Sequence, residues 1–365
     1  MSTFSHRLYQ YVRYRPKSWW RVLIAQIIFS FGRTRVPVSP TLLDAEPTNH
    51  CNQKCPGCAT GDGTLSRPTG MMKSDTFDKI LEDLGGSINF TDLYCMGEPF
   101  LSKNIYRFIA VAKERGIFVN IDTNGILIDP DKLLDAGLDL VNFHISGTTQ
   151  EIHEEYRVGG DLENILGNVR KLVEARGQRQ DSVTKIRLGM IVFKQNEHQI
   201  QEFFAIAKDL QVDESYLIEG SIPNSNLDAM QGMLTTIEEL QVYEQATLTK
   251  GSLRRVNRSK CSWPWHGTSI SWNGDVHPCC HDYHDQHKLG NIFEEKFAEI
   301  WNGRPAQEFR QRLLDADDIP MCRQCPGYGI GRSVEKLTDS PTEEGEWTTN
   351  AELPLALNQQ ETTIT

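Results

Sequence analysis

The chain has 365 residues, of which 24% are charged and 39% hydrophobic, a composition typical of a soluble protein with room for one large domain or two. Its formal net charge of −11 argues against general nucleic-acid binding, which needs a basic face to neutralise phosphates. The nine cysteines are grouped and no cleavable signal peptide is recognised, so metal or cluster chemistry in a reducing compartment is expected rather than a disulfide framework.

Residues 1–41 are predicted to be a basic and aromatic helical extension. Seven Arg or Lys and no acidic residue precede Asp44, and the apolar run VLIAQIIFSF (22–31) is too short to span a bilayer. Two interpretations stay open: a helix on the membrane surface, or a helix packed across the following domain. Both predict a cytoplasmic protein, and the first adds peripheral contact with the inner face of the membrane.

From residue 42 to 220, short apolar runs alternate with amphipathic segments. The predicted strands are LLDAEP, FTDLYCM, FVNIDTNG, LVNFHISG, KIRLGMIVF and ESYLIEG. The predicted helices include SDTFDKILEDLG, NIYRFIAVAKERG, DLENILGNVRKLVEARG and EHQIQEFFAIAKDLQ, several with Ser, Asp or Asn at the start and Gly at the end. Six strand–helix repeats indicate an α/β fold, a partial (β/α)6 TIM-type barrel with its chemistry at the carboxyl ends of the strands.

Three further segments follow this barrel. Residues 221–255 are predicted to be a helical connector, with TTIEELQVYEQATL as its clearest part. Residues 256–332 form a small second unit that contains five of the cysteines. Residues 333–365 are rich in Thr, Glu, Asn and Gln with little periodicity, which predicts a disordered tail.

The loop after the first strand, EPTNHCNQKCPGCATG (46–61), contains Cys51, Cys55 and Cys58. Three thiolates can hold three irons of a cubane 4Fe–4S cluster and leave the fourth iron without a protein ligand. An open coordination position distinguishes a metal site that does chemistry from one that only braces a fold. A zinc knuckle would need a fourth ligand nearby, and the near candidate, His50, adjoins Cys51, which is poor geometry for shared chelation.

This C-x3-C-x2-C loop resembles the signature of the radical S-adenosylmethionine (radical SAM) superfamily. The resemblance implies that S-adenosylmethionine chelates the open iron and is cleaved on reduction to methionine and a 5′-deoxyadenosyl radical. That radical takes a hydrogen atom from the substrate. The resemblance also implies a flavodoxin- or ferredoxin-type electron donor, whereas the sequence identifies no catalytic side chain beyond the cluster ligands.

Other stretches match the superfamily in the same order along the chain. MGEP (96–99) resembles the GGEP motif with Met in the first position, and it implies that the backbone of Gly97 and Glu98 receives the methionyl amino group. TNG (123–125) resembles the family's motif at the end of the third strand, and it implies that Asn124 belongs to the S-adenosylmethionine site. HISGTTQEIHEEYR resembles SIDGxxxEIHDxxR without its first Asp, and it implies that Ser146 helps to bind the methionyl carboxylate. IVFKQNEHQI resembles the fifth strand and its following turn.

The second cysteine set comprises Cys261, Cys279, Cys322 and Cys325. Either Cys279 or Cys280 could be the ligand of the CC pair, and the G-x4-C spacing favours Cys279. The stretch LGNIFEEKFAEIWNG resembles the connector of SPASM and twitch domains, which implies one auxiliary 4Fe–4S cluster held by four cysteines. A structural zinc site is the alternative.

These features predict a radical SAM enzyme with an auxiliary cluster. A fully ligated cluster suits electron transfer, so we expect net two-electron oxidation, or dehydrogenation, of a small hydroxylated or amino substrate, as in the 2-deoxy-scyllo-inosamine dehydrogenases that the architecture resembles. The alternatives are maturation of a ribosomally made peptide, modification of a lipid or lipid-linked sugar, and a non-catalytic zinc or iron–sulfur protein. The sequence does not identify the substrate.

Overall fold

The apolar runs that alternate with helices form the first six strands of a single sheet. In the computed structural model, which describes residues 18–221, 230–241, 261–316 and 319–325, these strands are parallel and lie in chain order. They are β1 (Leu42–Ala45), β2 (Phe90–Asp92), β3 (Phe118–Thr123), β4 (Leu140–Ile145), β5 (Lys185–Val192) and β6 (Glu214–Glu219). Parallel strands joined by helices confirm the predicted partial (β/α)6 barrel.

In the described part of the chain, one helix precedes the first strand, and six others connect the strands. They are α1 (Trp19–Ser30), α2 (Ser74–Leu84), α3 (Ile105–Glu114), α4 (Pro130–Asp135), α5 (Gln150–Tyr156), α6 (Leu162–Gly177) and α7 (Ile200–Asp209). Capping side chains fix where three of them begin: Asp129, Thr149 and Asp161 accept a hydrogen bond from the first turn of α4, α5 and α6, respectively. Short 3-10 turns lie at Pro99–Leu101, Glu197–Gln199, Gln231–Met233 and Glu238–Leu240.

The C-terminal unit continues the same sheet. Strand β7 (Gly267–Ile270) runs parallel to β1 with Ser269 opposite Asp44, and β8 (Asp275–His277) and β9 (Gly290–Asn291) extend the sheet in antiparallel fashion. The helices of this unit are α8 (Trp263–His266), α9 (Phe297–Trp301), α10 (Arg304–Leu314) and α11 (Pro320–Gln324). This pairing brings the second cysteine set next to the first strand of the barrel.

The two faces of the sheet differ because side chains alternate along each strand. On β3, Val119 and Ile121 are fully buried in the core, whereas Asn120 and Asp122 project from the opposite side, here called the inner face. The neighbouring strands repeat the pattern. The polar residues of the inner face include Asp44, Asp92, Asn120, Asp122, Asn142, His144, Arg187 and Tyr216.

Helix α1 packs across the C-terminal unit along one side. Ala25 is buried, and the ring of Phe29 meets that of Trp265 edge-on at a centroid distance of 5.0 Å. The other side of the helix is also apolar, since Trp20 and Phe31 are 41% and 76% exposed. The packed-helix interpretation therefore describes one side of α1, and the exposed side leaves room for a second contact. Among the described residues, no helix has the length and apolar character needed to cross a membrane.

Some predicted elements differ from the structure or lie outside the described residues. Helices α4 and α5 are not among the predicted helices, because with six and seven residues they are too short to show a helical period. Where the predicted helical connector is described, at 230–241, it contains two 3-10 turns. The connector residues 222–229 and 242–255, residues 1–17 and the predicted tail at 333–365 lie outside the described residues, and the domain boundaries stay predictions.

Candidate active site

The three cysteines of the first loop lie together beyond the carboxyl end of β1. The Cys58 N–H donates to the Cys55 carbonyl at 3.1 Å, and the Gln53 N–H donates to Cys51 Sγ at 3.4 Å, so the loop is folded tightly around its thiols. Burial raises the pKa of Cys51 to about 11 and raises that of Cys55 as well, and neighbouring thiols add to both increases. Thiols that influence one another in this way are suited to share a positively charged metal cluster, which favours the thiolate form.

The MGEP loop crosses directly over the cysteine loop at Gly97. The residue has a φ of 82°, and a Cβ atom placed on it would lie 2.5 Å from the His50 carbonyl oxygen, so glycine is required both by conformation and by space. The next N–H, that of Glu98, donates to the same His50 oxygen at 2.8 Å. The backbone near Gly97 is thereby held against the segment that contains Cys51.

The buried Glu98 carboxylate links the loop after β2 to the end of β3 through hydrogen bonds. Its Oε1 accepts from Phe100 N–H at 3.1 Å and from Thr123 Oγ1 at 2.8 Å, and its Oε2 accepts from Asn124 N–H at 2.8 Å. Burial raises the pKa of Glu98, and these donors oppose the increase. Asn124 extends the network, because its Nδ2 donates to Asn52 Oδ1 at 2.7 Å beside the first cysteine.

Ser146 is fully buried, and its hydroxyl faces an arginine. Arg157 Nε donates to Ser146 Oγ at 3.3 Å, and the same guanidinium hydrogen-bonds to Cys55, where its positive charge lowers the pKa of the thiol against the larger effect of burial. Arg157 thus carries positive charge to the rim of the three-cysteine loop. The serine orients this arginine, so a methionyl carboxylate at this rim would meet the guanidinium as well as the hydroxyl.

The inner face contains three carboxyl groups that are surrounded mainly by uncharged partners. Asn120 Nδ2 donates to Asp92 Oδ1 at 2.7 Å, and Asn142 Nδ2 donates to Asp122 Oδ1 at 2.5 Å. Burial raises the pKa of Asp122 to about 6 and that of Asp44 to about 7, and it raises the pKa of Asp92 as well. Carboxyl groups with such pKa values exchange protons near neutral pH.

A histidine, a tyrosine and an arginine lie together on β4, β5 and β6, at the far end of the inner face from β1. The Tyr216 hydroxyl lies 2.8 Å from His144 Nε2, and Asp122 Oδ2 lies 4.0 Å from the same nitrogen. Burial, followed by the charges of two nearby arginines, lowers the pKa of His144 to about 3, so the imidazole is neutral. Arg187 stacks 4.3 Å over the Tyr216 ring and pairs with Glu214 at 3.1 Å, which limits how much its charge neutralises Asp122.

The second cysteine set gathers around the turn after β8. After burial, the largest causes of the raised pKa of Cys279 are the charges of Cys325, Cys261 and Cys322, in that order. For Cys280 the largest charges are instead those of Asp44 and Cys95, and Cys95 Sγ donates to the Cys280 carbonyl at 3.5 Å. Cys279 therefore faces the other three thiols, while Cys280 faces the inner face of the barrel. In the portion of the chain that the structure describes, no three or more Cys, His, Asp or Glu side chains have the arrangement that would hold a single metal ion.

In the structure, the residues predicted from the sequence lie in two groups around the inner face, and their roles as ligands stay predictions. The first group joins the early cysteines to the MGEP and TNG loops, and the second joins the late cysteines to β7 and β8. Sequence reasoning did not identify Arg157 or the polar residues of the inner face. The sequence does contain a signal for the inner-face residues. Polar residues recur at every second position within otherwise apolar strands, as in FVNIDT and LVNFHI.

The fold and the site together identify the class of protein. It is an α/β barrel with groups of cysteines at the strand ends that can bind iron–sulfur clusters. Residues 45–207 match the model of the radical SAM superfamily, and residues 261–326 match that of the SPASM iron–sulfur cluster-binding domain. The chain therefore belongs to the radical SAM superfamily and carries a SPASM domain. It is a radical SAM enzyme whose cofactors are 4Fe–4S clusters and S-adenosylmethionine.

Individual relatives are similar along most of their length. The PqqA peptide cyclase of Gluconobacter oxydans is 26% identical over 310 residues, covering 80% of this chain and 84% of the relative. The AdoMet-dependent heme synthase of Methanosarcina barkeri is 27% identical over 349 residues, covering 83% and 96%. The crystal structure of Streptococcus suis SuiB bound to S-adenosylmethionine shares the fold, with a TM-score of 0.57 and 16% identity over 79% of this chain and 72% of that one.

The residues present fit the cofactors that this family uses. The first loop offers thiols alone as soft donors, and all nine cysteines of the chain are free of disulfides. Four of the later thiols influence one another electrostatically around Cys279. The assignment of Cys51, Cys55 and Cys58 to the first cluster, and of Cys261, Cys279, Cys322 and Cys325 to the auxiliary one, stays a prediction.

Proposed function

We propose that the protein is a radical SAM oxidoreductase that removes two electrons from a carbon bearing a hydroxyl or amino group, in a small substrate bound on the inner face. The net oxidation takes away one hydrogen atom, one proton and one electron. When bound, S-adenosylmethionine and its cluster supply the hydrogen-atom acceptor, and the auxiliary cluster supplies the electron acceptor. Accepting the proton is the task left to a side chain of this protein.

The observation that carries the proposal is the set of buried carboxyl groups on the inner face. We propose Asp122 as the proton acceptor, because its side chain is 21% exposed and its pKa of about 6 leaves it ionised yet basic at neutral pH. Asn142 fixes one carboxylate oxygen, and the other lies toward His144. The group is therefore both oriented and open to a substrate.

The placement of the second cysteine set supports an oxidation. The carboxyl of Asp44 hydrogen-bonds with the Cys280 thiol, and Cys279 is the adjacent residue. A substrate on the inner face would lie close to the predicted auxiliary ligands, so an electron would have a short distance to travel. We further propose that a flavodoxin- or ferredoxin-type protein supplies the reducing electron that starts each turnover.

The test is product analysis with deuterated hydroxyl- and amine-bearing candidates under anaerobic, reducing conditions. We expect deuterium in 5′-deoxyadenosine and a substrate-derived product that has lost two hydrogens. In Asp122→Asn, label transfer should continue while the oxidised product falls by about a hundredfold, since general-base help typically contributes that much. Label transfer with a redox-neutral product would contradict the oxidation.

A second candidate, modification of a ribosomally made peptide, is favoured by the relatives. The matched Gluconobacter relative is a PqqA peptide cyclase, and SuiB has also been crystallised with its precursor peptide SuiA. Crosslinking also removes two hydrogens, so the same labelled assay separates the two candidates by which substrate, peptide or small molecule, transfers deuterium. Fragmentation of a peptide product then shows whether a new bond has formed.

We also propose that the exposed side of α1 contacts an anionic membrane surface, which would suit a lipid or lipid-linked substrate. Trp20, Ile27 and Phe31 are exposed along this side, and the first 43 residues contain basic side chains without acidic ones. Each large apolar side chain contributes roughly 1.5–3 kcal/mol when fully buried. Replacing Trp20 and Phe31 by Ser should therefore abolish sedimentation with anionic vesicles, and unchanged sedimentation would rule the contact out.

A further inference from the structure

Asp44 and Asp92, here called the acid pair, face each other across neighbouring strands of the inner face. They are directly opposite in the register of β1 and β2, and their carboxyl groups are in hydrogen-bond contact. Two ionised carboxylates so close together repel each other, so such a pair retains a proton unless a cation takes its place. Consistent with this, burial raises the pKa of both groups, and for Asp92 the charge of Asp44 adds to the increase.

Hydrogen-bond acceptors outnumber donors around the acid pair. Asp44 Oδ2 and Asn142 Oδ1 are buried without a hydrogen-bond partner among the described residues, and both side chains are 3% exposed. The amide donors nearby are already engaged: Asn120 Nδ2 donates to Asp92 at 2.7 Å, and Asn142 Nδ2 donates to Asn120 Oδ1 at 2.8 Å. Within the described chain, neither carboxyl of the pair forms an ion pair with Lys or Arg. The acid pair therefore has no Lys or Arg partner, and two buried oxygen atoms of the inner face, Asp44 Oδ2 and Asn142 Oδ1, have no donor among the described residues.

We infer that the acid pair binds the ammonium group of an organic amine substrate, while Asn142 Oδ1 accepts a hydrogen bond from a neutral donor of the same molecule. An ammonium group has one positive charge and three N–H donors, which would balance the negative charge of the acid pair and supply the donor that Asp44 Oδ2 lacks. The inference rests on the proposed function, for which it names the substrate class. The amine belongs either to a small molecule or to a lysine side chain of a peptide, since both present the same group.

Binding is tested on the anaerobically reconstituted holoprotein with S-adenosylmethionine and without reductant. Titration calorimetry compares two matched pairs of probes: glucosamine with glucose, and N-acetyl-lysine amide with N-acetyl-norleucine amide. In at least one pair, the ammonium-bearing probe should bind about tenfold tighter or more, the ratio that one charged hydrogen bond provides. The pair with the larger ratio tells whether the amine comes from a small molecule or from a peptide.

Two variants connect the preference to the acid pair. Asp92→Asn keeps the shape of the side chain but removes its charge, and it should bring the charged and neutral probes to equal affinity. Asp209→Asn alters an aspartate whose side chain is 80% exposed on the outer surface, and it should keep the full preference. If Asp92→Asn loses its iron, Asp44→Asn serves as the second variant, since it removes the other charge.

A preference for the ammonium-bearing probe that disappears in Asp92→Asn supports the inference. Equal affinity of charged and neutral probes in the unsubstituted protein overturns it, and so does a preference that survives both acid-pair variants. Failure here is distinct from failure of the proposed oxidation: dehydrogenation of a neutral polyol without ammonium preference would refute only the inference. Tight ammonium binding with a redox-neutral product would refute only the oxidation.

Discussion

Replacing Asp122 by Asn should stabilise the protein at neutral and alkaline pH. Burial raises the pKa of Asp122 from 3.8 to about 6, so the folded state holds its proton more tightly than the unfolded state does. The favourable contribution is complete below the unfolded pKa and is lost as pH rises through the folded pKa. At about pH 8 the ionised, buried carboxylate therefore costs about 3 kcal/mol, at 1.36 kcal/mol for each pKa unit.

Asparagine removes this cost and can still accept the hydrogen bond from Asn142 through its carbonyl oxygen. We expect Asp122→Asn to raise the free energy of unfolding by about 3 kcal/mol near pH 8 and by about half as much near pH 5. Anaerobic urea unfolding followed by tryptophan fluorescence measures this difference. Asp209→Asn, at an exposed position, is the matched control and should show no pH-dependent gain.

Equal destabilisation by Asp122→Asn at both pH values would refute a raised pKa for Asp122. That result would mean that the carboxylate is ionised and well paired in the folded state, in which case Asp122 would also be a poor proton acceptor. A gain without pH dependence would point to packing instead of charge. Only a gain that grows with pH agrees with a buried carboxyl whose pKa is raised.

Three further predictions concern the loops around the site. Gly97→Ala should weaken S-adenosylmethionine binding by about tenfold or more in equilibrium dialysis, because a Cβ atom would lie 2.5 Å from a backbone oxygen of the cysteine loop; undiminished binding would contradict the close approach. Glu46→Gln should lower the free energy of unfolding by about 3–5 kcal/mol, since the buried Arg67 guanidinium loses its hydrogen-bonded carboxylate and keeps only the more distant Asp285, at 4.0 Å; a loss below about 1 kcal/mol would show that solvent or Asp285 replaces the pair. Cys279→Ser should lose about four of about eight irons whereas Cys280→Ser keeps them, and equal losses would contradict the assignment of ligands.

The barrel could be predicted from the sequence because each strand and its helix carry a local signal. Alternating apolar runs, capping residues and terminal glycines placed all six strands and the four named helices in the right part of the chain. The cluster loop was predictable for a different reason. The spacing of Cys51, Cys55 and Cys58 along the chain is enough to indicate a cluster-binding loop, and no long-range contact is needed to recognise it.

The inner-face residues could not be assigned because their role depends on contacts between strands. Asp44 and Asp92 are 48 positions apart, and only the parallel register of β1 and β2 makes them a pair. Arg157 was likewise visible within its motif, yet its contact with Cys55 depends on how two loops pack. The parallel pairing of β7 with β1 had no local signal at all, since two strands more than two hundred residues apart must meet across the whole barrel.

That last pairing explains how one protein can combine two cysteine sets with a single substrate site. Because Ser269 of β7 lies opposite Asp44 of β1, the turn that carries Cys279 and Cys280 is fixed at the edge of the inner face by sheet hydrogen bonds. A hinge between the two units would let this distance vary, whereas a shared sheet holds it constant. Buried carboxyl groups at the same place are costly for folding, and proteins commonly accept such a cost where an activity needs it. The coincidence of rigid pairing and unfavourable burial at Asp44 is therefore the strongest physical reason to look for the substrate there.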